Sequence, residues 1–171
     1  MRRGLSCTGF TTVEVLVVLL IIALLATITL PVFTGRNRDS EIAADARKIQ
    51  RLFTTARSYA LGNNGYYSAT FSLDLQSYWI DQTDSFGAVV QPKVTTPEKV
   101  NGLVVIEDID APSGLFSAGQ VSIRFYPQGN SDDATIHLRR ASGGSADPAQ
   151  FFTIKLYGPT GRADVLENQR S

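Results

Sequence analysis

Glu14 is the residue whose chemistry most needs an explanation. It lies in the stretch GFTTVEV, and the residues that follow it, VLVVLLIIALLA, contain nothing polar. An ionised side chain within a bilayer costs about 2.5–3.5 kcal/mol, so it persists only with a partner or a function. Glu14 is therefore predicted to pair with a cation. The alternative is that its side chain reaches the membrane interface or bonds to its own N-terminus.

The other residues that could do chemistry form no catalytic set. The one histidine, His137, alternates with apolar residues in a predicted strand, and we interpret it as structural. The one cysteine, Cys7, allows no intramolecular disulfide. Two groups of acidic residues could offer oxygens to calcium, and the second is interpreted as turn residues because it lacks the spaced glycine and terminal glutamate of a calcium-binding loop. They are Asp81 with Asp84, and Glu107, Asp108 and Asp110. The sequence predicts no enzyme activity, no cofactor and no metal site.

A hydrophobic segment, Phe10 to Phe33, follows residues 1–9. At about 1.5 Å per residue it is about 36 Å long as a helix, enough to cross a hydrocarbon layer of about 30 Å. Arg2 and Arg3 precede the segment and are expected to stay cytoplasmic, which places the rest of the chain on the far side of the membrane. With 16 basic and 16 acidic residues, the chain as a whole has no net attraction for nucleic acid.

The order of these features resembles the class III signal of type IV pilins and type II secretion pseudopilins. The matching stretch is Gly9 followed by FTTVEVLVVLLIIALLATITLPVF, with Thr12 where a leucine is usual. The resemblance implies that a prepilin peptidase and N-methyltransferase cuts after Gly9 and methylates the amine of Phe10. It also implies that Glu14 meets the amine of a neighbouring subunit in a filament. Pro31 matches the proline that bends or locally melts the helix in this family.

The helix is predicted to continue through residues 34–64. Its apolar residues recur at spacings of four and three and form one stripe. They are Ile42, Ala46, Ile49, Phe53, Ala56 and Ala60. Asp45, Lys48 and Arg51 lie off this stripe. We interpret this side as a solvated helix face in preference to a basic face for nucleic acid, because acidic residues precede the basic ones. The basic residues are Arg47, Lys48, Arg51 and Arg57, and the acidic ones are Asp39, Glu41 and Asp45. The sequence GNNG at 62–65 is expected to stop the helix, with Gly62 as a left-handed cap.

From residue 65 onward the pattern predicts strands separated by turns, several with period-two alternation such as Val121, Ile123 and Phe125. The predicted strands cover residues 66–74, 77–81, 86–94, 100–108, 121–127, 135–140 and 151–157. Residues 110–119 and 142–149 are predicted to be loops. The predicted fold is α+β, a long N-terminal transmembrane and amphipathic helix packed on an antiparallel β-sandwich. The predicted domains are a leader at 1–9, a transmembrane helix at 10–33, an amphipathic continuation at 34–64 and a periplasmic β-rich domain at 65–171.

The C-terminal third narrows the resemblance. VSIRFYPQGNSDDATIHLRR followed by FFTIKLYGPTGRADV resembles the domain shared by the H-type minor pseudopilin of type II secretion and the FimT minor pilins, the GspH/FimT family. The resemblance implies a structural subunit near the tip of a periplasmic pseudopilus, which supports export of folded proteins and is anchored in the cell inner membrane. Its implied partners are other minor and major pseudopilins, with further contacts to a secretin and to exoproteins.

A FimT-like minor pilin that binds DNA for natural transformation is the alternative. The resemblance implies that DNA binding of the FimT type goes with a Gly-Arg-any-Arg motif. This sequence has Gly161 and Arg162 followed by Ala163 and Asp164. Asp164 therefore puts a carboxylate where the motif has its second arginine, which repels phosphate. Arg162 is the candidate nucleic-acid contact, and we expect no appreciable nucleic-acid binding. The other candidates for a basic patch are Arg139, Arg140 and Arg170.

Overall fold

The computed structural model describes residues 12–141 and 151–167, with residues 25–41 and 167 described by their backbone alone. The chain divides into two units, Met1–Arg38 and Asp39–Ser171. The one helix of the described residues, α1, spans Thr12–Gly62 and has residues in both units. The predicted leader, residues 1–9, and the predicted loop at 142–149 lie outside the described residues.

The C-terminal part of α1 packs through the predicted apolar stripe. Every member of that stripe, from Ile42 to Ala60, is at most 1% exposed. Phe53 is at its centre, with its ring centroid 5.9 Å from those of both Phe71 and Phe125. The stripe is therefore confirmed as the face by which the helix contacts the core.

The helix ends in a Schellman motif built on asparagine. The Gly65 N–H donates to the Ala60 carbonyl at 3.1 Å, and the Asn64 N–H donates to the Leu61 carbonyl at 3.4 Å. Asn64 has a φ of 47°, so it is the left-handed residue of the motif. The prediction that Gly62 is the left-handed cap is therefore wrong by two residues, because asparagine also tolerates this conformation.

Ten strands follow the helix in the part of the chain that the structure describes. Their bounds are β1 Tyr66–Ser72, β2 Ser77–Thr83, β3 Val89–Gln91, β4 Glu98–Lys99, β5 Val104–Ala111, β6 Gly114–Phe116, β7 Gln120–Phe125, β8 Ala134–Arg140, β9 Phe151–Tyr157 and β10 Arg162–Glu167. They form two antiparallel sheets. The first has the order β3-β2-β1-β7, with β4 also paired to β2, and the second has the order β10-β9-β8-β5-β6.

One hydrophobic core joins the two sheets and the helix. It includes Phe53 of α1, Phe71 and Ile123 of the first sheet, and Ile136 and Ile154 of the second, none more than 1% exposed. Alternate residues of β7 and β8 point into this core, as the period-two pattern predicts. The predicted α+β architecture, a helix packed on antiparallel sheets, is therefore confirmed.

Several predicted boundaries differ from the structure. Residues 110–119 are not a single loop, because β5 extends to Ala111 and pairs with β6 across a turn at residues 112–113. Gly114, the first residue of β6, has a φ of 125°. Of the predicted strand at 86–94, only Val89–Gln91 is a strand, and of that at 100–108 only the part from Val104 onward is a strand. Strands β4 and β10 were not among the predicted strands.

Two polar side chains, Gln76, which is part-buried, and Asp45, which is buried, tie distant segments to the core. Gln76 holds the two sheets together: its Oε1 accepts from the Ile106 N–H at 2.7 Å, and its Nε2 donates to the Ile106 carbonyl at 3.2 Å. Asp45, which is 1% exposed, accepts from the Asn101 N–H at 2.7 Å and from the Lys48 ammonium at 2.7 Å. The interpretation of Asp45 as part of a solvated face is therefore wrong.

Candidate functional site

The N-terminal part of α1 presents an apolar surface. The large aliphatic side chains from Val13 to Leu24 are 48–68% exposed. Exposed apolar surface of this extent marks a contact with lipid or with other proteins. Within the described residues, no helix is both long and apolar enough to cross a membrane. The span predicted at 10–33 includes residues outside those described and stays a prediction.

The residues predicted for processing and assembly belong to this same segment. Glu14 is exposed and lies in the first turn of α1 as described. Pro31 lies within the bounds of α1, where only the backbone is described, and Gly9 and Phe10 lie outside the described residues. The roles predicted for these four residues therefore remain predictions.

A groove of about 750 Å³ lies between α1 and the turn that joins β9 to β10. Three residues of one helix face form its first wall, and the β9–β10 hairpin forms the second. The lining residues are Gln50, Thr54, Arg57, Tyr157, Pro159, Thr160, Gly161, Arg162, Ala163 and Asp164. The groove thus contains both residues of the Gly161–Arg162 pair that the sequence analysis identified.

Gly161 lets this hairpin approach the helix closely. Its φ is 59°, and a Cβ added there would lie 2.4 Å from the Gly129 carbonyl oxygen and 3.0 Å from the Arg57 Cδ. The Arg57 Nε donates to the same Gly129 oxygen at 2.8 Å. Glycine is therefore required by the packing at this position, whatever the groove binds.

Gln50 covers part of the open edge of the second sheet. Strand β10 is an edge strand, and its outward-facing Ala163 carbonyl accepts from the Gln50 Nε2 at 2.6 Å. An open strand edge is a template for pairing with another chain, and a side chain bonded to that edge obstructs such pairing. The helix therefore both forms the groove and protects the strand beside it.

The charges in the groove are mixed. Arg162 and Asp164 are exposed and line it together, and Arg57 from the helix is the second cation. Arg139 is remote from these residues. Arg162 pairs with Tyr157, whose neighbour Leu156 pairs with Ala134 at the start of β8. Arg139 lies five residues further along β8, about 16 Å from Ala134 at about 3.3 Å per residue.

The arginines considered as candidates for a basic patch are not brought together within the described residues. Arg139 lies 3.8 Å from Glu107, as an ion pair, and Arg140 follows it at the end of β8. Arg170 lies outside the described residues. Arg57, considered in the sequence only as part of the basic helix face, is the cation that the fold brings into the same groove as Arg162.

The acidic residues considered for calcium have other contacts. Asp81 is 3% exposed, and it accepts from the Thr70 hydroxyl, the Trp79 indole and the Lys93 backbone at 2.6, 2.9 and 2.6 Å. Asp84 accepts from two backbone N–H groups of its own turn. Asp81 is therefore a buried acceptor in β2. Glu107, Asp108 and Asp110 all lie in β5, so their interpretation as turn residues is wrong.

His137 lies in β8 and is buried. Its Nδ1 contacts the Asp108 carboxylate, which comes from the neighbouring strand β5, opposite a break in the register between Ile106 and Asp108. Asp110, in contrast, is exposed. No cluster of metal-ligating side chains is found among residues 12–141 and 151–167.

A second cavity, of about 260 Å³, lies between the helix and residues 95–98. Tyr78 lines it, and its hydroxyl donates to the Glu98 carboxylate at 3.2 Å. Burial and then the charge of Glu98 raise the pKa of the Tyr78 hydroxyl well above its usual range. At the surface, the hydrogen bond to Asp132 raises the pKa of Tyr126. Neither tyrosine stood out in the sequence.

Comparison with known proteins finds similar folds among solved structures but no match to the sequence. No protein-family model matches the sequence, and no curated protein matches it. The minor pseudopilin EpsH from the Type 2 Secretion System of Vibrio cholerae superposes with a TM-score of 0.57 at 11% identity, over 77% of this chain and 99% of that chain. The type IV minor pilin FimU of Pseudomonas aeruginosa superposes with a TM-score of 0.53 at 14% identity, over 81% of this chain and 95% of that chain.

These likenesses establish a pilin-like fold, an N-terminal helix packed on antiparallel sheets. They cover almost the whole length of both solved chains. The predicted resemblance to pilins and pseudopilins is confirmed at the level of the fold. At these identities, function requires an argument of its own.

Proposed function

We propose that this chain is a minor pilin-like subunit of a cell-envelope filament, specifically a minor pseudopilin near the tip of a type II secretion pseudopilus. The observation that carries the proposal is the exposed apolar segment Val13–Leu24, with Glu14 at its start, in a chain whose C-terminal unit has the pilin-like fold. A surface of this kind has to be covered by lipid before assembly and by other helices afterwards.

The role of Glu14 follows from charge pairing. A carboxylate beside an apolar run is unfavourable in lipid unless a cation meets it, and the methylated amine of a neighbouring subunit supplies that cation without losing its charge. Subunits would then be drawn into register by one ion pair each. We propose that the chain is anchored in the inner membrane, with residues 34–171 in the periplasm, and assembles there with other minor and major pseudopilins.

Substitution of Glu14 tests this pairing. Glu14→Ala and Glu14→Gln should both be inserted and processed, yet both should fail to join the filament, because each removes the charge that binds the neighbouring amine. Asp74→Asn, an exposed carboxylate in the β1–β2 turn, is the control and should assemble normally. Incorporation would be measured by co-purification and cross-linking with the other subunits. Wild-type incorporation of Glu14→Gln would show that the charge is not used.

The N-terminus tests the anchoring and the proposed maturation. Mature protein should begin at Phe10 and carry a methylated amine, because Gly9 provides the small residue at the cut and the two arginines hold the leader in the cytoplasm. Mass spectrometry of the N-terminal peptide measures this directly. An intact Met1, or a cut beyond Ala26, would remove the basis of the proposal.

A DNA-binding minor pilin is the second candidate, because Arg57 and Arg162 line the same groove. Binding through phosphates weakens steeply with salt and scales with the number of contacts, and Asp164 opposes it. We expect no appreciable binding of double-stranded DNA by the whole chain at about 150 mM salt, an ionic strength with a Debye length of about 8 Å. Micromolar binding that Arg162→Ala abolishes and Asp164→Asn strengthens would favour this second function.

A further inference from the structure

Asn101 lies in a turn that favours a spontaneous chemical modification. Its side-chain Oδ1 accepts from the Leu103 N–H at 3.3 Å, an Asx turn that folds the side chain back over the Gly102 backbone. The Val104 N–H donates to the Asn101 carbonyl at 2.8 Å and closes the turn around it. These two bonds therefore hold the Asn101 side chain in one orientation beside the Gly102 backbone.

The Gly102 nitrogen is available for reaction. Within residues 12–141 and 151–167, no hydrogen bond from the Gly102 N–H is found. Asn101 and Gly102 are exposed, and no atom lies within 4 Å of the position that a Cβ of Gly102 would occupy. Neither hydrogen bonding nor crowding thus opposes ring closure at this residue.

We propose that Asn101 is a site of deamidation through a succinimide. The Gly102 nitrogen attacks the side-chain carbonyl carbon of Asn101 and loses its proton, and ammonia leaves. Water then opens the five-membered ring at either carbonyl, which gives aspartate or isoaspartate at position 101. The reaction consumes one water, releases one ammonia and needs no oxidant or cofactor.

A second Asn–Gly pair in the same chain provides an internal comparison. Asn64 is also exposed, but the Gly65 N–H donates to the Ala60 carbonyl at 3.1 Å in the Schellman motif. That bond must open before the Gly65 nitrogen can attack. The two pairs have the same residue types, and they differ in this hydrogen bond and in the left-handed backbone of Asn64. The fold therefore protects Asn64 and leaves Asn101 reactive.

The modification would act on the contact between the 101 turn and the helix. The Asn101 N–H donates to the buried Asp45 carboxylate at 2.7 Å. Deamidation adds a second carboxylate next to this one, and the isoaspartate product also lengthens the backbone by a methylene group. Like charges at short range repel, so the modified turn should bind the helix less well.

Incubation of the full chain in mild detergent at alkaline pH, followed by peptide mass spectrometry, tests the proposal. In the folded chain, Asn101 should be converted at least about fivefold faster than Asn64. The factor follows from the hydrogen bond that must open at Gly65, because a net contribution of about 1 kcal/mol corresponds to about fivefold at 1.4 kcal/mol per tenfold. In urea-unfolded chain the two rates should be similar. Equal rates in the folded chain, or a faster rate at Asn64, would overturn the proposal.

Gly102→Ala is the matched variant, because it leaves Asn101 unchanged and its Cβ meets no neighbour. It should slow conversion of Asn101 without changing that of Asn64, since a side chain on the attacking residue hinders ring closure. Modified chain, separated by its added negative charge, should unfold at a lower urea concentration than unmodified chain. Unchanged conversion in Gly102→Ala would contradict the succinimide route.

Discussion

Gly161→Ala should lower the free energy of unfolding more than the same substitution at a positive-φ glycine that lies in open space. The substitution forces a left-handed conformation on a residue with a side chain, which costs about 1–2 kcal/mol. Its Cβ would also lie 2.4 Å from the Gly129 carbonyl oxygen, so one of the two segments must move. Movement there disturbs the bond from Arg57 to Gly129, and a hydrogen bond from a charged group contributes about 1.5–3 kcal/mol.

The expected total is a loss of about 3 kcal/mol in the free energy of unfolding. With an m-value of about 2 kcal/mol/M, the urea midpoint should fall by about 1.5 M. Trp79 is the one tryptophan of the chain and is 9% exposed, so its fluorescence reports the unfolding of the first sheet. Full chain in mild detergent is the sample.

Two other glycines separate the conformational cost from the close approach. Gly119 has a φ of 81° with no atom within 4 Å of an added Cβ, so Gly119→Ala should lose only the conformational part, about 1–2 kcal/mol. Gly102 has neither constraint, and Gly102→Ala should be neutral or stabilising by up to about 1 kcal/mol. If Gly161→Ala is no less stable than Gly119→Ala, the packing of the hairpin against Arg57 and Gly129 does not require glycine.

Asp45→Ala should cost about 2 kcal/mol, because it leaves the Asn101 N–H without its acceptor, whereas Lys48→Ala removes only a half-exposed partner and should cost less than about 1 kcal/mol. Urea unfolding of both variants compares them, and equal losses would show that the ion pair, not the buried acceptor, matters. The raised pKa of Tyr78 means that the folded state holds this proton more tightly than the unfolded state. Stability should therefore fall as the pH rises beyond about 10, the ordinary tyrosine pKa, and Tyr78→Phe should fall less steeply over that range, as measured by unfolding at each pH. The same slope in both proteins would place the alkaline sensitivity elsewhere.

The local patterns of the sequence were enough to predict the main elements. The apolar stripe from Ile42 to Ala60 follows helical spacing, and each of its members is buried. The alternation of Val121, Ile123 and Phe125 likewise predicted a strand with one face in the core. These predictions hold because the period of side chains along a helix or strand is set by the local backbone geometry. The exposed apolar segment Val13–Leu24, on which the proposed function rests, is likewise visible in the local sequence.

What only the tertiary structure decided depends on partners that are distant along the chain. Asp45 reads as a surface acid until the fold brings Asn101, 56 residues away, to its carboxylate. Arg57 reads as one of several helix cations until Gly129, 72 residues away, accepts its Nε–H. Gln50 has no partner in any local pattern, yet it bonds to Ala163, 113 residues away, at the edge of β10. Local periodicity specifies which face of an element is apolar, but it contains no information on which polar groups meet across that face, because those contacts depend on how the helix and both sheets pack together.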